Sequence, residues 1–172
     1  MKKFIQSLTA FEASQVLMSL LNENPGLLQN AYDCALKIAI DVDIESICDS
    51  VYTCLSMLHI EELNDRIGMS QHSYVDHDEA ALELLEEVLA SFIGDIVENR
   101  KRNLPAAAKA CCIGIVKGIR MYDEDPDSEF GGWVEDVTGE CIDTVIKEWK
   151  KGNPSREDIA DVMRVVNGEN HD

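Results

Sequence analysis

The sequence predicts an all-α protein of about seven helices, packed as stacked antiparallel hairpins in an irregular bundle or an α-α superhelix. Apolar side chains recur every three to four positions along most of the 172 residues, and no useful length of chain alternates strictly between apolar and polar side chains. Proline, glycine and asparagine mark the breaks between these periodic segments. We expect one helical domain over residues 1–168 and a frayed tail at residues 169–172.

The first forty residues predict two helices. Thr9 and Glu12 have the spacing of a capping box, which predicts a helix that ends at Asn24. Pro25 suits the first position of a second helix, whose apolar residues repeat at helical spacing over residues 28–39. Because the break between them is short, we expect a small antiparallel hairpin.

The middle of the chain predicts a long helix and then a loop. Asp43 can begin a helix that runs to about Arg66, where Gly68 can terminate it. The segment GMSQHSYVDH, residues 68–77, is the first clear loop of the chain.

Residues 78–102, DEAALELLEEVLASFIGDIVENRKR, predict a helix by their capping residues, their terminal charges and their apolar periodicity. Asp78 can cap its first amides, basic side chains gather at its carbonyl end, and Asn103 can close the turn. Its apolar face is wide enough to contact at least two neighbours. That face consists of Ala81, Leu85, Val88, Leu89, Phe92 and Ile96.

The next helix is predicted over AAAKACCIGIVKGIRMY, residues 106–122. Ala110, Gly114 and Gly118 recur at four-residue intervals, so another helix backbone can approach this side closely. We therefore expect it to be the most buried helix of the second half, and a Gly114→Leu substitution to unfold the protein.

An acidic loop, DEDPDSEFGG, follows this helix. Asp123, Asp125, Asp127 and Glu129 alternate as in the first half of a calcium-binding loop. Ser128 stands where such a loop needs glycine, so we interpret the segment as an acidic turn that leads into a helix.

Two more helices complete the prediction. Apolar positions from Phe130 to Trp149 indicate a long helix that ends near Gly152. Ser155 and the acidic residue three positions on resemble a capping box for a last short helix over residues 159–166.

Charge and composition limit the classes of function. The formal net charge is -18, with 33 acidic and 15 basic side chains, so we expect no direct nucleic-acid binding. No apolar run approaches the roughly 18 residues of a membrane span, and the first residues do not resemble a signal peptide. We expect a cytoplasmic protein that contacts no membrane.

The sequence carries no recognisable catalytic signature. Its six cysteines form no C-x-x-C or C-x-C unit, which favours reduced, buried thiols over a zinc ribbon or a redox site. Neither a nucleophile elbow nor a glycine-rich phosphate loop is present. We assign no catalytic residue and no cofactor, and we favour a protein that is not an enzyme.

Two groups of side chains are candidate sites. His72, Asp76 and His77 combine imidazole and carboxylate in and after the first loop, so they are candidate metal ligands, although their spacing matches no known motif. The partner-binding candidates are Arg100, Lys101, Arg102 and Trp133, since exposed basic clusters and tryptophan recur at interfaces.

One stretch is similar to the helical region of prokaryotic SWIM zinc-finger proteins. The likeness rests on LHIEELNDRIG at residues 58–68, on Tyr74-Val75-Asp76 and Glu79-Ala80-Ala81, and loosely on CIGIVKGI at residues 112–119. The Cys-x-Cys and Cys-x-His signature of the finger is missing, so the resemblance implies no metal or nucleic-acid role. It implies a helical module that stands alone.

The hypothesis we prefer is a protein-binding or scaffolding module whose acidic helical faces meet another macromolecule. The alternative is a metal-dependent hydrolase, or another enzyme, that uses carboxylates and His72 or His77 between helices. A homo-oligomer whose function belongs to the assembly is a third hypothesis.

Overall fold

The computed structural model describes residues 2–69, 74–75, 77–126 and 137–169. Within these ranges the fold is all-α, as predicted, with a 3₁₀ turn and one two-residue β-hairpin beside the helices. The helices are α1 (Lys2–Gln6), α2 (Ala10–Glu23), α3 (Leu28–Ile40), α4 (Ile44–Ser56), α5 (Ile60–Arg66), α6 (His77–Lys101), α7 (Pro105–Asp123), α8 (Val137–Lys150) and α9 (Arg156–Val166).

The chain divides into two compact units, which we call unit 1 (Met1–Asp41) and unit 2 (Val42–Asp172) and describe separately. The single domain predicted over residues 1–168 stays a prediction. No helix of the described residues is both long enough and apolar enough to cross a membrane.

Unit 1 begins its main helix with the predicted capping box. The Thr9 hydroxyl accepts a hydrogen bond from the Glu12 amide at 3.3 Å, and the Glu12 carboxylate accepts one from the Thr9 amide at 2.8 Å. A 3₁₀ turn, Pro25–Leu27, then leads directly into α3. The only residue outside helical geometry between α2 and this turn is Asn24. Both α2 and α3 contact this turn. The four residues between the two helices are within the usual length for a helical hairpin, and the predicted antiparallel hairpin stays a prediction.

Unit 1 has no buried residue among those described. Twelve of its large hydrophobic side chains are exposed, whereas the described part of unit 2 exposes only Met57 and Met121. The twelve are Phe4, Ile5, Phe11, Val16, Leu17, Met18, Leu20, Leu27, Leu28, Tyr32, Ile38 and Ile40.

Unit 2 is organised around α7, which packs against α4, α6, α8 and α9. This confirms the prediction that α7 is the most buried helix of the second half. The two glycines on its predicted contact side face α4. A β-carbon at Gly114 would lie 2.8 Å from the Ile47 side chain, and one at Gly118 would lie 2.6 Å from Val51.

The long helix predicted from residue 43 to residue 66 is divided into α4 and α5. Asp43 caps α4 as expected, accepting a hydrogen bond from the Ser46 amide at 3.1 Å. The helix then ends at Ser56, and residues 57–59 turn the chain. Leu58 in this turn and Leu63 in α5 are both buried, so the break lets both reach the core.

Between α5 and α6 lies a short antiparallel pairing. β1 (Gly68–Met69) and β2 (Tyr74–Val75) align Gly68 with Val75 and Met69 with Tyr74. The sequence predicts a loop here. With two residues a strand, the pairing is a local hairpin inside that loop and leaves the all-α class unchanged.

The long helix α6 follows its prediction to within a residue at each end, and Asn103 closes it with a positive φ of 58°. Of the predicted face, Ala81, Leu85, Leu89 and Ile96 are buried, while Val88 and Phe92 are half-buried. Ala80 and Leu84 are buried too, because α6 packs against both α7 and α8.

The last two described helices complete the core. Trp149 and Val145 of α8 are buried, and Val162 of α9 is buried against the same core. Ser155 forms the predicted capping box with Asp158 at the start of α9. The parts of the predicted sixth helix and acidic loop that fall on residues 127–136 lie outside the described residues.

Candidate functional site

The basic side chains of unit 2 are concentrated in two short segments of the sequence. Residues 42–172 contain twelve basic side chains, and eight of them fall within residues 100–109 and 147–156, beside a single carboxylate. These two segments carry +7, whereas the remainder of unit 2 has four basic and 28 acidic side chains, or -24. We name the eight the basic cluster: Arg100, Lys101, Arg102, Lys109, Lys147, Lys150, Lys151 and Arg156.

The fold brings these segments together as two neighbouring helix–helix turns. One turn joins α6 to α7 and contains Asn103; the other joins α8 to α9 and contains Asn153. Both asparagines have a left-handed backbone, with φ of 58° and 52°, which reverses the chain within a few residues. The carbonyl ends of α6 and α8 therefore lie beside the first turns of α7 and α9.

A pocket of about 310 Å³ opens between the two turns. Its apolar lining includes Leu104, Ala108 and Trp149, all of which are buried. Its charged lining consists of four members of the basic cluster, namely Arg100, Lys101, Lys109 and Lys151, and the carboxylate of Asp158. An apolar floor with several cations around it suits a ligand that carries both an apolar group and negative charge.

Arg100 connects the two turns. Its guanidinium donates to the Glu148 carboxylate at 2.5 Å and to the Glu148 carbonyl oxygen at 2.7 Å. Hydrogen bonds from Lys151 and from Arg100 lower the pKa of Glu148, whose side chain is only 18% exposed. The side chain of Arg100 passes close to Gly152, where an added β-carbon would lie 3.3 Å from its Cγ. Arg100 therefore fixes the geometry of the pocket.

Lys109 connects α7 to α9 on another side of the pocket. Its ammonium donates to Asp158 at 2.7 Å and to Asp161 at 2.6 Å. Burial by itself lowers the pKa of Lys109, but the two carboxylates outweigh that effect and raise it. The same hydrogen bonds hold the pKa of each carboxyl below its ordinary value.

Lys101 and Arg102 differ from these paired cations. Both are exposed, and neither forms an ion pair within the described part of the chain. A ligand carboxylate can approach them without displacing a protein carboxylate. A new ion pair with Lys101 or Arg102 therefore costs less free energy than one with Arg100 or Lys109, whose existing pairs would have to break.

The structure separates the roles of the predicted partner-binding residues. Arg100 is half-buried and links the two turns through Glu148. Lys101 lines the pocket, and Arg102 is the next residue in the turn. The fourth predicted residue, Trp133, lies outside the described residues. Lys109, Trp149 and residues 147–156 are not among the site residues predicted from the sequence. Four basic residues within ten positions of so acidic a chain are nevertheless a signal that could have indicated the second segment.

The predicted metal ligands are only partly described. His77 is the first residue of α6 and is exposed, whereas His72 and Asp76 lie outside the described residues. Within the described ranges, no three His, Cys, Asp or Glu side chains are grouped as a metal site would require. The metal site therefore stays a prediction.

Two carboxylates of the acidic loop are engaged by the protein. Asp123 accepts a hydrogen bond from Thr138 at 2.8 Å, and Asp125 accepts one from the Tyr52 hydroxyl at 2.7 Å. These contacts attach the end of α7 to α8 and α4, in keeping with the interpretation of the loop as an acidic turn. Asp127 and Glu129 lie outside the described residues.

No family model, curated protein or solved structure matches the chain. The likeness to the helical region of SWIM zinc-finger proteins stays a prediction.

Proposed function

We propose that this protein is a protein-binding module that takes an acidic segment of its partner at the basic cluster. The observation that carries the proposal is the separation of charge in unit 2: the two segments that form the turns beside the pocket carry +7, and the rest of the unit carries -24. Such a distribution steers a negatively charged ligand away from most of the surface and toward one end of the bundle.

The size of the cluster limits the length of the ligand. The pocket of about 310 Å³ has room for one or two side chains, with Lys101 and Arg102 exposed beside it. A short acidic peptide can place its carboxylates on these cations and an apolar side chain over Trp149. A nucleic acid has a longer run of phosphates, which would extend onto the acidic remainder of unit 2 and be repelled there.

The supporting geometry is preorganised. Arg100 and Lys109 are held by carboxylates of α8 and α9, so the pocket does not need to form when a ligand arrives. Binding to a preformed site loses less conformational entropy, which matters for a small contact with few apolar anchors.

A labelled acidic peptide tests the proposal. Fluorescence anisotropy of a glutamate-rich peptide with one leucine should show saturable binding at about 50 mM salt that weakens several-fold at about 300 mM, because the contacts are exposed ion pairs. A lysine-rich peptide of the same length should not compete at the pocket.

Two variants form a matched pair for this test. Lys101 and Lys37 are both exposed lysines in the last turn of a helix, and neither is ion-paired among the described residues. Lys101→Glu should weaken peptide binding by about tenfold, whereas Lys37→Glu, with the same change in net charge, should leave it unchanged. If the two substitutions weakened peptide binding equally, the affinity would depend only on the net charge of the protein, and the proposal would be wrong.

A further inference from the structure

The helices of unit 1 have apolar surface on most sides. Around α2, apolar side chains span about 220° of the circumference, and the polar ones are confined mainly to the remaining arc. Around α3 the apolar arc is almost as wide and centres on Leu28 and Tyr32. A helix with so wide an apolar face normally contacts two or more neighbours.

The exposed area is comparable with that of a stable interface. The twelve exposed hydrophobic side chains of unit 1 each keep between 44% and 77% of their surface in water. Together they offer on the order of 1,000 Å² per chain. A standard protein–protein interface buries about 800 Å² on each partner, so unit 1 alone has enough surface for one.

The charge on unit 1 favours a second copy of the same chain as the occupant. Residues 1–41 carry three basic and four acidic side chains, a net charge of -1, against -17 for residues 42–172. Two copies of unit 1 can therefore meet with little repulsion, which the acidic surfaces of unit 2 do not allow.

We propose that α2 and α3 of two copies pack together into a four-helix assembly, so that this protein is a dimer through unit 1. With α2 about 21 Å long and α3 only slightly shorter, two copies supply four helices of similar length. In a two-fold symmetric dimer, each apolar face packs against the same face of the other copy. Two-fold dimers are the commonest homo-oligomers. The basic cluster takes no part in this contact, so each proposal can fail without the other.

Sedimentation velocity over about 1–100 µM, with mass from light scattering, tests the dimer. Leu17 lies at the centre of the apolar arc of α2, and Tyr32 is 60% exposed at the centre of the arc of α3. Leu17→Glu and Tyr32→Glu should each raise the dimer dissociation constant by about 100-fold or more, because each sets a carboxylate inside an apolar interface. Circular dichroism and thermal melting should show that the buried core of unit 2 stays folded, since neither side chain belongs to it.

The matched control is Met57→Glu. Met57 is a large hydrophobic residue of unit 2 that is 67% exposed, so its substitution changes the net charge equally and leaves unit 1 intact. It should leave the dimer unchanged. A wild-type protein that is monomeric at every concentration would overturn the proposal, and so would a Met57→Glu variant that dissociates as readily as Leu17→Glu. A monomer that binds phosphatidylcholine or phosphatidylserine vesicles would also overturn it, because the apolar faces of unit 1 would then contact lipid and not a second copy.

Discussion

Gly118 of α7 lies directly against Val51 of α4. A β-carbon on Gly118 would be 2.6 Å from the Val51 β-carbon and 2.7 Å from the carbonyl oxygen of Cys48. Gly114 has the same relationship with Ile47 and with the carbonyl oxygen of Ile44, at 2.8 and 2.9 Å. Because backbone atoms of α4 take part in both contacts, side-chain movement alone cannot make room for a methyl group.

Gly118→Ala should destabilise unit 2. Alanine favours the helix by about 1 kcal/mol over glycine, but the overlap with α4 costs about 1–3 kcal/mol or more and should outweigh that gain. Urea denaturation followed by circular dichroism measures the result. Gly94→Ala is the matched control, since Gly94 lies inside α6 and a β-carbon there meets nothing within 4 Å. It should stabilise by about 0.5–1 kcal/mol. Equal effects of the two substitutions would contradict the close packing of α7 on α4.

Lys109 should make stability depend on pH in the acidic range. Its ion pairs lower the pKa of Asp158 and of Asp161 from the ordinary value of 3.8. A carboxyl whose pKa is lower in the folded state contributes stability above its unfolded value, and this contribution is lost as the pH falls through the folded value. Lys109→Met should therefore melt a few degrees below the wild type at pH 7.

The pH series supplies the control for that prediction. The difference in melting temperature between wild type and Lys109→Met should persist at pH 5 and shrink progressively below pH 3.8, once the carboxyls are protonated. A difference that stays constant down to pH 2.5 would mean that Lys109 stabilises through packing of its stem and not through its charge.

Thiol reactivity should divide the six cysteines into two classes. Cys34 and Cys54 are exposed, and the other four are buried. Burial raises the pKa of Cys112 and of Cys141 to about 12, so at pH 8 only about one in 10,000 of these groups is the reactive thiolate. Ellman's reagent should modify two thiols quickly in the native protein and all six after denaturation. Rapid native modification of Cys112, located by mass spectrometry, would contradict the burial of α7.

Removal of residues 1–41 should leave unit 2 folded. Every buried residue of the described chain lies between Cys48 and Val162, so the truncation removes no core side chain. The free energy of unfolding measured with urea should change by less than about 1 kcal/mol when wild type and truncated protein are compared at low concentration. A truncated chain that no longer melts cooperatively would show that the core of unit 2 depends on unit 1.

Local pattern predicted most helices well, because caps and apolar periodicity act within a few residues. Thr9, Asp43 and Ser155 each begin a helix where the sequence places it, and the left-handed Asn103 ends one. The break after Ser56 was missed, since the apolar spacing continues through it and only the burial of Leu58 in a turn reveals why the chain bends.

The candidate site was predicted only in part. The sequence indicates Arg100 and Lys101 as part of one basic run. In the structure Arg100 is bound to Glu148, whereas Lys101 is exposed, and this difference depends on the position of Glu148. Glu148 lies nearly fifty residues away along the chain, and no local pattern indicates such a pairing.

The sequence by itself determined that this chain is helical, that it is strongly acidic, and that its cations gather in two short segments. These properties follow from side-chain spacing and composition, which are local. Only the tertiary structure decided that the two basic segments meet around one pocket, that α7 lies at the centre of unit 2, and that the helices of unit 1 leave their apolar faces in water. Each of these depends on contacts between distant parts of the chain, whose geometry is set by packing.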